Sequence, residues 1–122
     1  MTLRHCEDAV QMIELNAPMV VQCLREGKWE LALYSGQAFD YAIPFREMLT
    51  SIASILSRDV LSSCDLPAYE EFEDFIEGTL RFGTEIIDIY YEHSLAYISL
   101  QSPRESVLRD IVARLQPHVI VI

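Results

Sequence analysis

Glu85, Asp88 and Glu92 stand three and four residues apart, a spacing that would gather three carboxylates on one face of a helix. Such a set performs general acid–base chemistry when burial raises one pKa above the others. Left in water it is only a solvated face. Carboxylates on helices also raise the question of a di-iron centre, which takes Glu on two helices and Glu-x-x-His on two more. No Glu-x-x-His occurs. His93 directly follows Glu92 and His5 adjoins Cys6, and successive helical residues diverge by about 100°, so neither pair chelates a metal easily. His118 reads as a residue of the C-terminal tail. The glycines lie singly, without a phosphate-cradling loop, and no Ser-His-Asp or Cys-His grouping stands out. Arg114 and His118 are separated by three residues, Pro117 among them, too few for the paired Arg–His motif of small helical ribonucleases. The expectation is a protein with no catalytic residue, no metal and no cofactor, and hence not an enzyme.

The charge is more informative than any motif. The chain has 122 residues with 19 acidic and 9 basic side chains, a net charge of −10. Its one lysine is Lys28, and a protein that neutralises phosphates needs a basic face, so direct nucleic-acid binding is excluded. The acids are not spread evenly. From Asp65 to His93 nine of them (Asp65, Glu70, Glu71, Glu73, Asp74, Glu77, Glu85, Asp88 and Glu92) face Arg81 alone, a local charge of −8 that leaves −2 for the rest. Tyr69, Phe72, Phe75, Tyr90 and Tyr91 are interleaved with them. Acids that steer a basic protein and aromatics that anchor it make a partner-binding strip. The candidate contact residues are Tyr69, Glu70, Glu71, Phe72, Glu73, Asp74 and Glu77.

Composition sets the frame in which such a strip must sit. With 51% hydrophobic and 23% charged residues, the chain is too apolar for disorder and of a size for one domain over residues 1–122. The first eight residues lack a basic and then apolar leader pattern. The longest apolar runs, Ala17 to Val21 and Val119 to Ile122, are far below the ~20 residues of a membrane span. Cys6, Cys23 and Cys64 are odd in number and scattered, which fits free thiols in a reducing, cytoplasmic setting.

The spacing of apolar residues predicts helices throughout. Leu3, Cys6, Val10, Ile13, Ala17, Val20 and Leu24 alternate threes and fours and define a first helix, with Pro18 as a kink or break and Gly27 as a left-handed cap. Trp29, Ala32, Gly36, Phe39 and Ile43 continue the pattern. It resumes past Pro44 through Phe45, Met48, Leu49, Ile52, Ile55 and Leu56, as one kinked helix or two. Asp59 to Asp65 is a connection. Asp65-Leu66-Pro67 then opens a helix carrying Tyr69, Phe72, Ile76, Leu80, Gly83, Ile87 and Tyr90. Ser102-Pro103-Arg104-Glu105 reads as a capping box for a last helix with Val107, Leu108, Ile111, Val112 and Leu115, stopped by Pro117. The apolar tail Val119 to Ile122 either docks on the core or pairs with a partner edge, which would make a homodimer.

Leu24-Arg25-Glu26-Gly27-Lys28-Trp29-Glu30-Leu31-Ala32 resembles the helix–Gly–helix turn of tetratricopeptide units and a stretch of flagellar export chaperones. Over nine residues the resemblance implies two antiparallel helices and carries no function. The fold expected is therefore all-α, an antiparallel bundle of four to six helices with a short apolar C-terminal tail. The function expected is a small acidic cytosolic inhibitor that binds a basic protein: an immunity protein or antitoxin neutralising a nuclease-type toxin, or a nucleic-acid-mimicking inhibitor. The alternative is a helical chaperone or adaptor holding a partner helix in an apolar groove. The two differ in their response to salt, which weakens steering by charge and leaves groove binding almost unchanged.

Overall fold

The computed structural model describes residues 12–34, 43–68, 75–92 and 97–122. It overturns the all-α expectation: the chain is mostly β. Its elements in order are β1 (Ile13–Leu15), β2 (Val20–Arg25), β3 (Lys28–Tyr34), α1 (Ile43–Leu56), β4 (Ser62–Asp65), β5 (Phe75–Phe82), β6 (Glu85–Glu92), β7 (Tyr97–Ser102), α2 (Glu105–Leu115), a 3-10 turn (Gln116–His118) and β8 (Val119–Val121). Six strands form an antiparallel sheet in the order β2-β3-β7-β6-β5-β4, and β1 and β8 form a separate parallel pair.

Two glycine turns decide the sheet. Arg25 and Lys28 are cross-strand partners closed by Glu26-Gly27, and Phe82 and Glu85 by Gly83-Thr84. Gly27 and Gly83 have φ of 76° and 63°, a left-handed backbone that glycine adopts without steric cost and that two-residue hairpin turns use. Gly27 is thus left-handed as expected, but in a hairpin and not as a helix cap, so the likeness to a helix–Gly–helix turn fails. In three of the four strands beside these turns apolar residues alternate: Trp29, Leu31 and Leu33 in β3, Leu80 and Phe82 in β5, and Ile87, Ile89 and Tyr91 in β6. Spacing of this kind puts every second side chain on one face.

That face is the core. Leu31, Leu100 and Ile89 form one cross-strand row, which ends at Gly78, and Leu33, Ile98, Tyr91 and Ile76 form the next. All the side chains of both rows are buried, and α1 and α2 pack over the same face. Phe45 of α1 stacks on Tyr91 with ring centroids 4.0 Å apart, and Val107, Leu108, Ile111 and Leu115 are the buried stripe of α2. Gly78 has a separate reason to lack a side chain. A Cβ there would come 2.5 Å from the Asp65 carbonyl oxygen and 2.8 Å from Leu66 Cδ2, because the chain leaving β4 crosses over it.

The prolines also take other roles than expected. Pro18 lies in the connection between β1 and β2, and Pro44 is the second residue of α1, where a missing N–H costs no intrahelical bond. Neither kinks nor breaks a helix. Pro67 follows β4, and Asp65, expected as a helix cap, is the last residue of that strand. The last helix stands where it was expected, though its start is built differently: Ser102 Oγ accepts from Arg104 N–H at 3.0 Å, and no side chain caps the helix at Arg104. The tail docks on its own chain as a strand. Ile13, Glu14 and Leu15 run parallel to Val119, Ile120 and Val121, and Ile122 N–H donates to Leu15 O at 2.8 Å.

Candidate partner-binding face

The second face of the sheet carries no described helix, and its residues are the odd-numbered or even-numbered partners of the core rows. One polar row crosses all six strands: Gln22, Glu30, Gln101, Asp88, Thr79 and Asp65. Beside it lies Val20, Ala32, Ser99, Tyr90 and Glu77, and beyond that Tyr34, Tyr97, Glu92 and Phe75. Among described residues this face holds five carboxylates (Glu30, Asp65, Glu77, Asp88 and Glu92) against Arg25, Lys28 and Arg81. Lys28 Nζ already pairs with Asp88 at 2.8 Å.

Glu30 is the centre of the arrangement and is only 3% exposed. Burial of a charge is costly unless donors replace its water. Here Gln22 Nε2 donates to one oxygen at 2.8 Å, and Ser99 Oγ donates to the other at 2.5 Å, with the Tyr97 hydroxyl 3.5 Å from that same oxygen. Gln101 Nε2 in turn donates to Ser99 Oγ at 3.0 Å. The carboxylate is held by neutral donors, so its negative charge is not cancelled by any of them. Tyr34 stacks on Tyr97 at 5.1 Å, and Tyr90 donates to Glu92 at 2.8 Å. Both phenols resist ionisation beyond an ordinary tyrosine. For Tyr90 the hydrogen bond to Glu92 is the main cause, and for Tyr97 it is burial, reinforced by the charge of Glu30. They stay neutral, with their hydroxyls turned to Glu92 and Glu30, and offer flat apolar surface.

The sequence-derived candidates fall unevenly on this geometry. Glu77 is exposed on β5 and belongs to the face. Tyr69, Glu70, Glu71, Phe72, Glu73 and Asp74 lie outside the described residues. The proposed carboxylate trio is divided by the strand: Asp88 and Glu92 project to the open face, whereas Glu85 shares the side of Phe82 and pairs with Arg104 at 2.6 Å. The three do not form an acid–base set. His5 and His93 also lie outside the described residues, and His118 sits in the 3-10 turn. No group of three or more His, Cys, Asp or Glu residues is placed to hold a metal ion among the described residues. Glu30, Ser99 and Tyr97 escaped the sequence reading. The alternation Lys28, Glu30, Ala32, Tyr34 against Trp29, Leu31, Leu33 carried the signal, since it assigns Glu30 to a strand face.

A second feature lies on the helix side. Met19, Val21, Arg109, Val112, Ala113 and Gln116 line a cleft of about 220 Å³ between strand β2 and α2. Cys23 is exposed, whereas burial pushes the Cys64 thiol up to about 11. Among described residues no helix is long and apolar enough to cross a membrane. Comparison with known proteins finds no family model, curated protein or solved structure that matches the chain.

Proposed function

We propose that the chain is a small, non-catalytic inhibitor that binds a basic protein through its acidic sheet face. The observation that carries this reading is the collection of five carboxylates and three tyrosines on the side of the sheet that no described helix covers. Charges on a broad surface accelerate encounter with a cationic partner, and aromatic side chains supply the contact area that holds it. The acidic segment Glu70 to Asp74 immediately precedes β5 in sequence. An immunity protein or antitoxin set against a nuclease-type toxin fits this chemistry, as does an inhibitor that imitates nucleic-acid charge. Free thiols at Cys23 and Cys64 support a reducing, cytoplasmic setting.

The alternative, an adaptor with a partner helix in an apolar groove, has less support. The cleft beside α2 is only partly apolar, since Arg109 and Gln116 stand among its lining residues.

The test begins with capture of the partner from the native host and continues with association rates measured against salt. The rate is expected to fall steeply between roughly 0.05 and 0.5 M salt. Reversing Glu70, Glu71 and Glu77 to lysine together is expected to slow association at low salt while leaving the far-ultraviolet spectrum unchanged. A salt-independent rate, or full affinity in the triple variant, overturns the reading.

A further inference from the structure

We propose that the corner of the open face where β5 runs beside β6 receives arginine side chains, and that the basic partner is therefore held through arginine in preference to lysine, an inference that rests on the acidic face being the binding surface. Phe75 lies opposite Glu92, and Glu77 lies opposite Tyr90. Aromatic rings and carboxylates thus alternate both across the two strands and along each of them. Cross-strand neighbours stand about 5 Å apart, and residues two apart on one strand about 7 Å, so each carboxylate has a ring beside it in both directions. Phe75 is 54% exposed, and Glu77 is exposed as well. Among the described residues Glu77 has no hydrogen-bond or ion-pair partner, whereas Asp88, nearer the Gly83 turn, is already matched by Lys28. The Tyr90 hydroxyl donates to Glu92, which leaves the ring itself as the contact surface.

The chemistry of this corner selects the cation. A guanidinium group is planar, stacks on an aromatic face and donates two parallel hydrogen bonds to a carboxylate; an ammonium is a compact, strongly hydrated point charge. Carboxylates alone attract both by charge. Rings set beside carboxylates separate them. The neighbouring strands carry the same surface onward, because Tyr97 lies opposite Glu92 on β7 and Tyr34 of β3 stacks on Tyr97 at 5.1 Å. The occupant is accordingly a protein surface that presents arginine.

Fluorescence anisotropy of a labelled oligoarginine peptide and an oligolysine peptide of equal length, each titrated with the full chain, tests this. Oligoarginine is expected to bind about tenfold more tightly. The double variant Phe75→Leu, Tyr90→Leu keeps every charge. It is expected to bring oligoarginine down to the oligolysine level and to leave oligolysine unchanged. Phe75→Ser alone, at an exposed position, is expected to remove part of the preference even where loss of the half-buried Tyr90 ring unfolds the double variant. Glu77→Gln is expected to weaken oligoarginine about fivefold. Glu47→Gln, the same change of charge on an exposed residue of α1, is expected to weaken neither peptide. Equal affinity of the unaltered chain for both peptides, or a preference that survives both Phe75→Ser and Glu77→Gln, overturns the proposal. Equal binding that still falls with salt overturns it while the acidic face stands, and binding of neither peptide overturns both.

Discussion

Glu30 concentrates the tension between burial and charge in one side chain. Both its oxygens accept hydrogen bonds, and a carboxylate accepts without needing to donate. Glu30→Gln keeps the shape but turns one acceptor into a donor, which then faces Gln22 Nε2 or the pair Ser99 and Tyr97. A loss of about 1–3 kcal/mol is expected by urea unfolding. Gly78→Ala tests a different constraint. The added methyl meets the backbone carbonyl of Asp65, which cannot step aside as a flexible side chain can. Destabilisation of about 1–3 kcal/mol is expected. The thiols divide in the same way. Under native conditions Cys23 should react with a maleimide at pH 8 and Cys64 should not, as read by peptide mass mapping. Because folding raises the Cys64 pKa from 9.0 to about 11, the folded state holds that proton more tightly. Its contribution to stability is complete below pH 9 and is lost as pH rises towards 11. The alkaline fall in stability should therefore be shallower in Cys64→Ala.

At the scale of elements, the tail carries the testable content. Ile13 and Leu15 are buried under the β1–β8 pair, with Val119 packed against the core. Deleting Val119 to Ile122 removes three ladder partners and uncovers both side chains, and a lowered melting temperature is expected. The sequence made some of these elements legible and misstated others for a common physical reason. Residues four apart share a face in a helix and also in a strand, because four is twice the strand period. Ile76 and Leu80 therefore fit the helical pattern as well as the sheet row they occupy. Helix α2 was legible because Val107, Leu108, Ile111 and Leu115 include a three-residue step and an adjacent pair, which a strand cannot bury on one face. The β2–β3 and β5–β6 hairpins were marked by Gly27 and Gly83 and by the alternation in β3, β5 and β6, which outweighs the helical spacing. Of the candidate face only Glu77 and the local excess of acid were legible. Glu30 was not, because its partners Ser99 and Tyr97 are nearly seventy residues away in sequence.

For the molecule as a whole, charge acts through the acidic sheet face, whose attraction for a cationic partner is expected to weaken as salt rises. The two layers also divide the labour of stability. Helices α1 and α2 cover the apolar side, so the polar side is free to be optimised for contact. Phe45→Ala, which opens a cavity against Tyr91 in the centre of the core, is expected to cost about 3–5 kcal/mol without altering the open face, as judged by an unchanged affinity of the folded fraction for its partner.

The β1–β8 clasp also has a place in time. The β2–β3 and β5–β6 pairs close over two-residue turns and can form within microseconds, whereas Ile13 meets Val119 only after most of the chain between them has become compact. A three-residue pair at the chain end, with Ile120 to Ile122 exposed, opens more readily than the central strands. The amides of Ile120 to Ile122 are thus expected to exchange with solvent through a local opening well below the global barrier, while those of β6 and β7 wait for complete unfolding. A chain caught in that partial opening would expose Ile13, Leu15 and Val119 together, and its lifetime would set how readily the molecule is attacked by proteases.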